Sequence, residues 1–121
     1  MDTMHSVIEN AARGQDFYLL LGNFLDDFYR ADKEARRAMI AARPDDALPA
    51  LLPYAAAAVH KLANDYGLDV PGWVFEKRCY SARPYFGCGA KGELRLLFMY
   101  KSPAEFKHRN LFVDENVLVR V

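Results

Sequence analysis

The strongest constraint in this chain is a run of large apolar residues, Phe17, Leu20, Leu21, Phe24, Leu25 and Phe28, at offsets 0, 3, 4, 7, 8 and 11. That spacing collects them on one wide face of an α-helix and is incompatible with the two-residue alternation of a strand. Asn23, Asp26, Asp27 and Arg30 fall on the other side. A helix from Gln15 or Asp16 to about Ala31 must therefore bury one face and wet the other.

A face of that size needs partners, and the neighbouring segments offer them. Met4, Val7, Ile8, Ala11 and Ala12 repeat the pattern, with Asp2 or Thr3 as N-cap and Gly14 as stop. Asp32 can cap a third helix from Lys33 to about Ala42, whose apolar side is mostly alanine with Met39 and Ile40 as its bulky members. So thin a face must lie against a neighbour, and its Met39/Ile40 edge would equally suit a contact between copies in a homo-oligomer. A fourth helix begins at Pro49 or Pro53, since proline is tolerated only in a first turn, and ends at Gly67. Its four consecutive alanines, Ala55 to Ala58, permit close approach and mark it as the central helix.

Periodicity fades from Leu68 to Gly92, where prolines and glycines separate Trp73, Phe75, Tyr80, Tyr85 and Phe86. Such rings are expected to pin a loop to the core, and Trp73 in particular to plug it with one carbonyl for its indole N–H. Leu94, Leu97 and Phe98 restore helical spacing between Glu93 and Lys101, with Met99 and Tyr100 extending it. Ser102-Pro103-Ala104-Glu105 reads as a capping box opening a short helix to about Arg109. The tail from Leu111 fits either a strand-turn-strand or an extended piece followed by an Asp114-capped turn. The fold expected is all-α: a single-domain helical bundle over residues 1–121 with an irregular aromatic, glycine-rich segment and a docked tail. Folding a chain of 121 residues removes about two-thirds of its unfolded surface from water, enough for one core.

Several function classes lose support on composition. The start lacks a cationic stretch followed by an apolar run, and apolar stretches such as Tyr54 to Val59 are too short to span a bilayer, so a cytoplasmic protein without membrane contact is expected. Cys79 and Cys88 are expected as free thiols in a reducing compartment, because a chain with 52% hydrophobic residues needs no disulfide staple.

No motif points to catalysis or to a cofactor. Gly87-Cys88-Gly89-Ala90-Lys91-Gly92 has the spacing of a dinucleotide fingerprint, but Pro84 interrupts the strand that should precede it and Glu93 places an anion where a phosphate would sit. A plain turn is expected instead. Cys79, Cys88, His60 and His108 lack the paired spacing of a zinc site, so no metal is expected. Cys88 is the better candidate for a reactive thiol, with glycines and cations around it. Adjacent carboxylates, Asp26/Asp27 and Asp45/Asp46, diverge around a helix or turn and read as solvated faces. The chain is expected to be no enzyme.

Charge is balanced overall yet uneven, −3 over residues 1–60 and +3 over residues 61–121. Between Glu76 and Asn110 eight lysines and arginines face three glutamates, which is where an acidic partner would be drawn. The plainer account is that the two halves neutralise each other across the fold. Arg78, Arg83, Lys91 and Arg95 interleave with Tyr80, Tyr85 and Phe86, which also suits single-stranded nucleic acid, although the net charge is zero.

One resemblance adds to these readings. Val59-His60-Lys61-Leu62-Ala63 through Tyr66-Gly67-Leu68, Val70-Pro71-Gly72-Trp73, Ser102-Pro103-Ala104-Glu105-Phe106 and Arg109-Asn110-Leu111-Phe112-Val113-Asp114 are ordered as in a group of small bacterial helical proteins. The group is encoded beside nucleotidyltransferase-like toxins, and the C-terminal half of this chain, from about residue 54 to 121, resembles it. The resemblance implies an antitoxin-like or accessory role: binding a protein partner without turning over a substrate. Some members carry a helix-turn-helix domain ahead of this half, which the first fifty residues here do not match, so promoter binding is not implied. On these grounds Arg78, Tyr80, Arg83, Lys107 and Arg109 are the candidate partner-binding residues. The rival expectation is a nucleic-acid-binding regulator using the basic, aromatic segment 76–110.

Overall fold

In a computed structural model describing residues 2–120, the periodic segments become α1 (Met4–Ala12), α2 (Phe17–Arg30), α3 (Lys33–Ala41), α4 (Leu52–Asp65), α5 (Glu93–Lys101) and α6 (Ala104–Lys107). The fold is all-α, because the strands among these residues are the two-residue β1 (Tyr85–Phe86) and β2 (Leu111–Phe112), paired in parallel. The starts of α1, α2 and α3 are set by side-chain acceptors for otherwise unpaired amides. Thr3 and Ser6 form a reciprocal capping box, with the Ser6 amide donating to Thr3 Oγ1 at 3.1 Å and the Thr3 amide to Ser6 Oγ at 2.9 Å. The Asp16 carboxylate accepts from the Tyr18 amide at 2.8 Å and Asp32 from the Ala35 amide at 2.8 Å.

The face of α2 read from the sequence is buried throughout, and it closes on α1, α3 and the start of α4 in one continuous core. Ala55, Ala56, Ala57 and Ala58 have no exposed surface. Their small side chains let two 3₁₀ turns, Gly72–Phe75 and Lys77–Cys79, and α6 press directly onto α4. Met39 and Ile40 are each 1% exposed, which corrects the expectation that their edge is free to join a second copy. Trp73 reaches the end of α3, its indole N–H donating to the Ile40 carbonyl at 3.1 Å. The Pro-Gly turn before it is thus a device for delivering a ring to the end of α3.

The C-terminal end of α2 is closed by a residue the periodicity did not single out. Arg36 lies over the rings of Phe28 and Tyr66 and donates to the carbonyls of Phe28 at 2.8 Å and Tyr29 at 3.1 Å. The glycine-rich stretch forms a 3₁₀ turn, Gly87–Gly89, with Cys88 in the left-handed region at φ 56°. The tail takes the second of its two expected forms: β2 is followed by a turn in which Asp114 accepts from the Asn116 amide at 2.8 Å.

Ser102 departs from expectation. It does not cap α6, whose N-cap is Pro103 without a side-chain bond. Its buried hydroxyl accepts from the Val113 amide at 2.9 Å and faces the carbonyls of Phe98 and Val113, tying the end of α5 to the tail. The tail competes for this serine because β2 leaves Val113 buried, where an unpaired amide is costly. Ser102→Ala should therefore lower stability by about 1–3 kcal/mol, read as a fall in the urea midpoint with the slope of the transition unchanged. An unaltered midpoint would refute this role.

Candidate partner-binding surface

The five residues singled out in the basic half do not form one exposed cluster. Arg109 is 1% exposed, and its guanidinium reaches three separate elements. Nη1 donates to His60 Nδ1 on α4 at 3.0 Å and to the Glu105 carbonyl on α6 at 2.9 Å, while Nη2 donates to the Val74 carbonyl at 2.8 Å. The Tyr80 ring lies under the group, 4.8 Å from centroid to guanidinium carbon, and no carboxylate among the described residues forms an ion pair with it. Arg109 as a direct partner contact is thereby corrected. Its guanidinium faces carbonyls inside the fold instead, and Asn110 at φ 67° turns the chain out of α6.

Arg78 is half-buried and held by Glu76 at 2.7 Å, by the Pro44 carbonyl at 3.3 Å and by Asp46. Lys107 donates to the Tyr100 carbonyl at 3.2 Å, and Arg83 is exposed. Of the set, the structure joins Tyr80 to Arg109 and leaves the others apart. Neutralisation between the two halves is visible in Arg78 with Asp46, Arg43 with Glu76 at 3.0 Å, and Arg120 with Asp26 at 3.1 Å. Arg95, though exposed, is also engaged, donating to the Ala90 carbonyl at 2.8 Å and stacking on Phe86.

The densest group of exposed apolar side chains lies on α5. Leu96 and Tyr100 are 66% and 78% exposed, and Leu94, Leu97 and Met99 are exposed too. Phe98 is the one buried residue of this helix. Leu96, Met99 and Tyr100 stand at i, i+3 and i+4, so they form one apolar stripe. Lys91, Lys101 and Lys107 flank the helix and make no ion pair among the described residues. The helical spacing of Leu94, Leu97 and Phe98 does not itself say that Phe98 alone is buried. The signal was present: Glu-Leu-Arg-Leu-Leu-Phe-Met-Tyr-Lys is apolar all round, and a nine-residue helix held by one ring cannot bury every side.

Comparison with known protein families, with curated proteins and with solved structures finds no match. Among the described residues no group of three or more His, Cys, Asp or Glu side chains is placed to hold a metal ion, and no helix is long and apolar enough to cross a membrane. Cys79 is buried with its thiol against the Trp73 carbonyl at 3.3 Å, and burial pushes its pKa up, whereas Cys88 is exposed.

The Arg109 centre generates a pH dependence. Arginine has no acceptor, so His60 Nδ1 must carry a lone pair and the ring proton resides on Nε2. Burial, then the Arg109 cation, lower the His60 pKa below its ordinary value near 6.5. The unfolded chain therefore binds this proton first on acidification. The stability this group contributes is full above about pH 6.5 and is lost as pH falls toward the folded pKa. His60→Gln keeps an acceptor for Arg109 and takes up no proton. Its thermal midpoint should fall less than that of the wild type between pH 7.5 and 5.5; since His5 and His108 remain in both, equal slopes would exclude His60 as the cause.

Proposed function

We propose that this chain is a non-enzymatic protein-interaction module, antitoxin-like or accessory, that docks α5 in an apolar groove of a protein partner. The observation that carries the reading is the stripe Leu96, Met99 and Tyr100 on a helix whose inward hold is a single phenylalanine. Helix-in-groove recognition uses this i, i+3, i+4 set of anchors. A large exposed apolar patch rimmed by polar residues is what interaction sites present, and a central tyrosine is a frequent energetic anchor. The lysines around α5 favour an acidic rim on the partner.

The nucleic-acid reading draws less support. Arg78, Arg95 and Arg109 have their guanidinium groups engaged within the fold, and Phe86 stacks on Phe112 at 5.2 Å between ring centroids. The cations and rings that a single strand would need are largely used internally.

Co-expression with the product of the adjacent gene tests the proposal. A complex should co-purify, persist in 0.5 M salt, and weaken by about thirtyfold or more in Leu96→Asp/Met99→Asp, as expected for loss of central anchors. Circular dichroism should show unchanged helix content in that variant. Undiminished binding by a folded double variant would overturn the role of α5, and binding that vanishes with salt would favour a polyanion partner.

A further inference from the structure

Three tyrosines from distant parts of the sequence form the wall between two cavities. A cavity of about 430 Å³ is lined by Tyr18, Tyr54, Tyr85, Cys88, Val113 and Val117, and one of about 120 Å³ lies against the same three rings. The rings meet edge to face, Tyr18 to Tyr54 at 5.8 Å and Tyr54 to Tyr85 at 6.3 Å between centroids, so each fixes the next. The Tyr18 and Tyr85 hydroxyls bond to each other at 3.0 Å. Tyr54 is 9% exposed, and its hydroxyl makes no hydrogen bond among the described residues yet is not one of the fully buried unpaired atoms, so it keeps some accessible surface. An unpaired, accessible phenol on the wall of a cavity is free to donate to or accept from a molecule bound there. Burial raises the pKa values of Tyr18 and Tyr54, so both stay neutral donors at physiological pH.

The rest of the lining narrows the ligand. No lysine or arginine lines the larger cavity, and its one charged group, Asp114, is exposed and accepts from the Asn116 amide. An anion would find nothing to neutralise it. The volume lies in the range of small-molecule sites, and apolar walls with one free polar group are their usual composition. We infer that this cavity binds an uncharged aromatic molecule of one or two rings whose hydroxyl pairs with Tyr54, with Cys88 at its edge. The site shares no lining residue with α5 and does not depend on the function proposed above.

A matched series of probes tests this on the intact chain: 2-naphthol, 2-naphthoate and 2-naphthylmethylammonium, titrated by calorimetry. The expected order has 2-naphthol tightest. Bound 2-naphthol should slow iodoacetamide alkylation of Cys88, mapped by peptide mass. Tyr54→Phe, which keeps the ring and so the packing, should weaken 2-naphthol about three- to tenfold, the range of one hydrogen bond. Val117→Trp should block binding by filling the cavity. Absence of 2-naphthol binding to the wild type, tighter binding of either charged probe, full affinity in Tyr54→Phe, or unprotected Cys88 in the complex would each overturn the assignment.

Discussion

The Arg109 guanidinium is the point at which the irregular half of the chain is joined to the helical half. From the end of α6 it reaches His60 on α4, the carbonyl of Val74 in the turn after Trp73, and the carbonyl of Glu105. Burying a cation without a carboxylate partner is costly, and the cost is offset here by neutral acceptors and by the face of Tyr80. Two oriented carbonyls and an imidazole lone pair do locally what an ion pair would do, without requiring a second buried charge. Lysine could not replace it, because its single ammonium lacks the planar fork that satisfies acceptors on separate elements. The stretch between Leu68 and Gly92 is built of short turns, so its position depends on contacts of this kind.

That dependence explains why α5 is left outside. The alanine tract of α4 is already covered by the two 3₁₀ turns and α6, so no flat face remains for another helix. α5 is fixed at its ends instead: Arg95 holds the Ala90 carbonyl before it, and Ser102 joins its last turn to Val113. An anchored helix with free sides is pre-organised for docking, because little conformational freedom remains to be lost when its stripe is covered.

The helical frame was legible in the sequence because it rests on local rules. The spacing from Phe17 to Phe28, the acceptors at Asp16 and Asp32 and the prolines near Leu52 each act within a turn or two, and all agree with the structure. Trp73 was legible as a plug because its size and its preceding turn leave few alternatives. Ser102 was not: its local partners favour a cap, and the competing Val113 amide is eleven residues away. Arg109 and Arg78 escaped for the same reason, since a basic residue in a basic segment reads as surface until the acceptors around it are brought together by the fold. The Tyr18, Tyr54 and Tyr85 wall joins residues 67 positions apart and leaves no periodic trace.

One residue connects the two surfaces that carry the functional arguments. Val113 lines the tyrosine cavity with its side chain, while its amide and carbonyl face the Ser102 hydroxyl at the end of α5. Gly87, in the turn that closes the cavity, lies so close that a Cβ there would come within 3.4 Å of the Val113 side chain. The tail is thus packed from both sides, by the glycine-rich turn and by the last turn of α5. A displacement of Val113 large enough to be felt in the cavity must strain or break a buried hydrogen bond at α5, and interiors packed at this density do not absorb such shifts gradually. The short tail after β2 is therefore part of the architecture of both sites, even though its sequence, an apolar stretch interrupted by Asp114, Glu115 and Asn116, gives little sign of it.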